Sequence, residues 1–174
     1  MKTKANRITL TGILSALALA VFVIEAQLPP IMIPGVKLGL SNAVTLFAMT
    51  FVSIPCALAV MVIRITLGAV FCGTAMSFAF SLSGGVLAFA AMALLSVITD
   101  KKQLWVVSVF GAVFHSVGQI AAAYAFIGNK AVVSLLPILI ICSVISGALT
   151  GLIVQRLWFS PLRRFAHHGD KDKH

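Results

Sequence analysis

The sequence predicts an all-α integral membrane protein, a single bundle of about six transmembrane helices, on three observations. Of its 174 residues, 60% are hydrophobic and only 10% are charged, with a mean hydropathy of +1.10. A water-soluble domain of this size exposes much of its surface and needs far more charge to stay dissolved. The apolar residues also fall into runs of roughly 18 to 25, each long enough to cross about 30 Å of hydrocarbon as a helix. Finally, the cations gather at the ends of those runs. One transmembrane domain over residues 1–160 and a polar cytoplasmic tail over 161–174 account for the whole length.

Span one runs from about Ile8 to Ala26. Its basic start resembles a signal peptide, but the apolar stretch is too long for a typical hydrophobic region. Ile24 also occupies a site that cleavage after Ala26 would require to be small, so an uncleaved span is expected. The connection QLPPIMIPGVKLGL follows, where Pro29, Pro30, Pro34, Gly35 and Gly39 forbid a regular helix. Span two is short, about Leu40 to Phe51, with Ser41-Asn42 as a possible helix cap and Ser53-Ile54-Pro55 as its terminating turn. Its shortness leaves a partly re-entrant course open. Span three covers Pro55 to Phe71 and contains Arg64. Span four covers Met76 to Ile98, with Gly84-Gly85 in its middle, and a plain polar loop over Thr99 to Gln103 follows. Span five covers Leu104 to Phe126 with His115 and Gln119. Span six covers Ala131 to Leu157 with Pro137 near its start.

Orientation follows from counting Lys and Arg by side. One side collects Lys2, Lys4, Arg7, Lys101, Lys102, Arg156, Arg163, Arg164, Lys171 and Lys173, and the other only Lys37 and Lys130. That asymmetry predicts both termini in the cytoplasm. Trp105 and Trp158 then fall at the cytoplasmic interface and Tyr124 at the outer one. The net charge of +9 is thus a topology signal. No basic stretch interleaved with aromatics suggests nucleic acid.

Cys56, Cys72 and Cys142 are isolated, without metal spacing, and read as small packing residues. His115 is the sole histidine in a span and no Cys or acid stands at ligand spacing to it, so no metal site and no cofactor are expected. Glu25 is the only acid within a span. With Asn42, Arg64, His115 and Gln119 it falls in the outer half of the predicted membrane, near Lys37 of the first connection. A charge in hydrocarbon costs at least about 2.5 to 3.5 kcal/mol and so has a partner or lines a cavity. The pattern predicts a ligand cup open to the outside. Each residue keeps a structural alternative: Glu25 as ion-pair partner of Arg64 or Lys37, His115 as a bridge between helices, Asn42 as a cap. Arg64 is the strongest ligand candidate, because a guanidinium offers five donors and keeps its charge.

Small residues recur every four positions at Gly12, Ala16 and Ala20 on span one, and at Ser143, Gly147 and Gly151 on span six. Such stripes let helices approach closely in lipid. Taken alone, they read as packing inside the bundle.

The strings VFVIEAQLPPIMIPGVKLGLSNAVTLFA, RITLGAVFCG, SLSGG and FHSVGQ resemble a small bacterial membrane family, the Gx transporters, also labelled heptaprenyl diphosphate synthase component I. The resemblance covers roughly residues 7 to 157. That family is in turn similar to the substrate-binding S-components of energy-coupling-factor (ECF) importers, six-helix proteins with an outward cup, a first loop acting as lid and an Ala-x-x-x-Ala stripe on helix one. The polar residues of the predicted cup, Arg64, Lys37, Asn42, His115, Gln119 and Glu25, are the expected ligand contacts, and two permanent cations against Glu25 alone favour an anionic or acceptor-rich ligand. The resemblance implies a bacterial cytoplasmic-membrane subunit that captures such a small substrate. It also implies partners, a transmembrane coupling subunit docked on Gly12, Ala16 and Ala20, and an ATPase pair, since the chain has no phosphate-binding G-x-x-x-x-G-K-[ST] loop of its own. Prenyl diphosphate synthesis needs aspartate-rich clusters holding Mg²⁺. No span here contains two acids, so an enzyme is not expected. The alternative is a non-catalytic membrane partner in isoprenoid or quinone metabolism or of a redox complex.

Overall fold

The computed structural model describes residues 4–27, 39–72 and 75–160, apart from the side chains of Lys4, Cys72 and Lys101. These residues form six α-helices: α1 (Lys4–Gln27), α2 (Asn42–Phe51), α3 (Ile54–Cys72), α4 (Ala75–Ile98), α5 (Leu104–Ile127) and α6 (Leu136–Phe159). Five of them, all but α2, are long and apolar enough to cross a membrane. The chain is a multi-pass membrane protein. In α2 there are only 10 residues, so it rises about 15 Å, half of a hydrocarbon core of about 30 Å. Span two is therefore a half-length helix, joined to α3 by a tight turn in which the Val52 and Ser53 N–H groups both donate to the Ala48 carbonyl.

The five long helices form a curved wall in the order α1, α3, α4, α5, α6, and among the described residues the α1 and α6 backbones do not approach closely. Helix α2 fills the concavity and packs against all five. This explains why so short a helix is buried on most of its surface: the wall covers Val44, Leu46, Ala48 and Met49. Those side chains join Ala57, Val60, Ala88, Met92, Leu104 and Val107 in one apolar cluster. A second cluster, Phe80, Ile120, Ala123, Val132 and Leu139, lies toward the opposite end of the bundle.

Close backbone approach sets the tightest crossings. A Cβ added at Gly118 would stand 2.7 Å from the Ser83 carbonyl oxygen and 2.8 Å from the Gly84 Cα. Ser83 Oγ donates to the Gly118 carbonyl across the same crossing at 2.8 Å. The SLSGG and FHSVGQ strings are thus the two sides of the α4–α5 contact. On α6, Ser143, Gly147 and Gly151 face α5. Ser143 pairs with Ser116 at 2.6 Å, and a Cβ at Gly151 would stand 2.6 Å from the Trp105 Cα. That stripe packs internally. Gly12, Ala16 and Ala20 lie instead on the exposed side of α1, where a Cβ at Gly12 would meet no atom within 4 Å.

Two boundaries differ from the sequence reading. Span six opens as a 3-10 segment over Lys130–Leu135, and Pro137 sits in the first turn of α6. A proline there costs nothing, because the N–H it lacks has no helical partner at that position. The loop after α4 contains a short 3-10 turn, Lys101–Gln103.

Candidate functional site

Between the two apolar clusters lies a polar layer centred on the entry to α2. Arg64 is ten residues into α3, about 15 Å along its axis and so level with the start of the antiparallel α2. Its guanidinium donates through Nη1 to Ser41 Oγ and through Nη2 to Asn42 Oδ1 at 3.2 Å. The Phe22 ring of α1 lies 6.0 Å from its Cζ, within range of a cation–π contact. Charge-assisted hydrogen bonds contribute about 1.5 to 3 kcal/mol each. Two of them are enough to offset the insertion cost of about 2.5 to 3.5 kcal/mol for a cation in hydrocarbon.

Glu25, from the last turns of α1, reaches the same place from the other side. Its Oε1 accepts from the Gly39 N–H and, at 3.4 Å, from the Leu40 N–H. Its charge also acts electrostatically on Arg64. Gly39 is required where it stands. Its φ of +77° is left-handed, and a Cβ there would lie 2.8 Å from His115 Cδ2 and 2.9 Å from Asn42 Nδ2. On α5, Gln119 Nε2 lies 2.7 Å from His115 Nε2. When the amide nitrogen donates, Nε2 of the imidazole is the acceptor, and Nδ1 lies on the other edge of the ring. Gly84 leaves room for that edge of the ring, since a Cβ there would stand 2.8 Å from Nδ1.

Five predicted ligand residues, Glu25, Asn42, Arg64, His115 and Gln119, therefore converge from four helices. Lys37 lies outside the described residues. The five side chains are 0 to 5% exposed, so the predicted open cup is an occluded polar cluster in this structure. The capping role for Asn42 is overturned: it is the first residue of α2, preceded by Ser41 in helical conformation with no side-chain cap bond, and its amide oxygen serves Arg64 instead. From the sequence, Ser41 reads only as part of a possible helix cap and Gly39 only as a helix breaker, and nothing marks Phe22. The left-handed demand at Gly39 had no sequence signal beyond the residue type itself.

The cluster has donor capacity to spare. Among the described residues, Arg64 Nε and Asn42 Nδ2 are buried without an acceptor; the hydroxyls of Thr45 on α2 and Ser81 on α4 are likewise buried without a partner there. A buried donor left unpaired costs about 1 to 3 kcal/mol, so this arrangement favours an incoming acceptor. Among the described residues no three His, Cys, Asp or Glu side chains gather as a metal site.

Against known families, one model matches: that described as heptaprenyl diphosphate synthase component I, over residues 14–157. No curated protein and no solved structure matches. The family match spans most of the chain, from α1 to the last turn of α6 and through every residue of the cluster. The protein belongs to that family.

Proposed function

We propose that this member of the heptaprenyl diphosphate synthase component I family is a non-catalytic membrane subunit that binds a small acceptor-rich or anionic molecule and works with partner subunits. The observation that carries the reading is the buried cluster of Arg64, Asn42, Glu25, His115 and Gln119, with unspent donors on Arg64 and Asn42. Ionisable groups inside a membrane bundle are rare and mark substrate or ion paths, proton relays or ligand counter-ions. The occluded cluster is the closed state of an S-component-like binding site in the outer half of the membrane. Its partners are a transmembrane coupling subunit and an ATPase pair, with Gly12, Ala16 and Ala20 on the exposed face of α1 as the docking surface.

The family description favours a second reading, in which the chain is the membrane component of a prenyl diphosphate synthase whose catalytic acids reside in another component. Affinity purification in mild detergent separates the two. Recovery of a small molecule together with an ATPase pair and a coupling subunit supports the importer reading. Recovery of a soluble prenyltransferase, with no ATPase, contradicts it.

A further inference from the structure

We infer that α2 is a movable strut that reports the state of the polar cluster to the cytoplasmic face of the bundle. The inference rests on the cluster being the ligand site and adds how its occupancy is transmitted.

The outer end of α2 has no side-chain cap of its own. It is held instead by two charged side chains from other helices. Arg64 of α3 grips Ser41 and Asn42, and Glu25 of α1 grips the backbone of Gly39 and Leu40. Of the two, Arg64 is the group that an acceptor-rich ligand engages, because a guanidinium donates while a carboxylate only accepts. A ligand acceptor that takes the Arg64 donors competes directly with Ser41 Oγ and Asn42 Oδ1 and so loosens the strut. The left-handed Gly39 stands where the chain enters the helix, a position suited to absorb the change in angle.

The inner end of α2 carries the readout. Phe47 and Phe51 stack at 4.2 Å, and Phe51 meets Trp158 of α6 edge-on at 5.1 Å. Ala43, Phe47, Thr50 and Phe51 form the half-exposed stripe of a helix otherwise buried. They lie on one face by their spacing. A ten-residue helix is short enough to tilt as a rigid body. Because it touches all five long helices, tilt at Ser41 shifts Phe51 against Trp158.

Trp158 is itself the probe. The chain has two tryptophans, so Trp105→Phe leaves one. In that background, purified in detergent, Ser41→Ala and Arg64→Gln each weaken the outer grip without touching Trp158. Both are expected to shift the Trp158 emission maximum and raise its quenching by acrylamide, whereas Ser83→Ala, in the α4–α5 crossing, leaves the spectrum of the parent. Should Arg64→Gln fail to give monodisperse protein, Ser41→Ala, which removes a single acceptor, carries the test. Folded variants whose Trp158 spectrum and quenching superimpose on the parent overturn the strut. The binding reading fails separately, on Arg64→Gln retaining the co-purified molecule at parental occupancy.

Discussion

At the scale of single residues, Gly39 is the position where backbone and site make the same demand. Its left-handed φ and the 2.8 Å approach of a Cβ to His115 are independent penalties. Gly128, at the end of α5, has a similar φ of +69° but open space around it. Gly128→Ala is therefore expected to cost only the backbone term, about 1 to 2 kcal/mol. Gly39→Ala adds displacement of the His115 ring and should lower the thermal midpoint in detergent clearly further. Equal losses for the two variants would show that nothing presses on Gly39. Much of the site was legible here, because a charged or amide side chain inside an apolar run stands out. Partners were not legible. Asn42 looks like a cap by type and place, yet its acceptor is spent on a guanidinium 22 residues away in sequence, a choice that only the packing of α2 against α3 decides.

At the scale of elements, the two small-residue stripes have opposite environments and should respond oppositely to bulk. Gly151→Leu must push a side chain into the Trp105 backbone and is expected to abolish or severely destabilise the fold, since a buried overpacking of this kind typically costs about 1 to 3 kcal/mol or more. Ala16→Leu projects from an exposed face and should leave the melting profile of the isolated protein unchanged while preventing assembly with a coupling subunit. A destabilised Ala16→Leu protein would place that face against its own bundle. Sequence alone could not sort the stripes, because four-residue spacing looks the same on either side of a helix. Long spans were readable to within a few residues from length and apolarity. The exceptions have local causes: Pro137 is admitted by the first turn of α6 rather than by its interior, and α2 needs only half the membrane because the wall around it supplies its burial.

At the scale of the whole molecule, a polar layer is enclosed between two apolar clusters, with one short helix ending at that layer. Apart from Arg64, the described cations sit near helix ends, with Arg7, Lys102 and Arg156 by one end of the bundle and Lys130 by the other. With both termini in the cytoplasm, single cysteines at positions 37 and 130, in a background lacking Cys56, Cys72 and Cys142, should react with an impermeant maleimide on intact cells. Reaction only after lysis would invert the bundle and move the site to the inner half. The central claim, that the layer binds a small molecule through Arg64, is tested most directly by equilibrium binding of the co-purified molecule to wild type and to Arg64→Gln, with folding checked by monodispersity. Loss of a charge-assisted hydrogen bond predicts weakening by about 1.5 to 3 kcal/mol, tenfold or more, in the variant. A folded Arg64→Gln protein that binds as tightly as wild type would contradict the account and leave Arg64 as the structural anchor of α2.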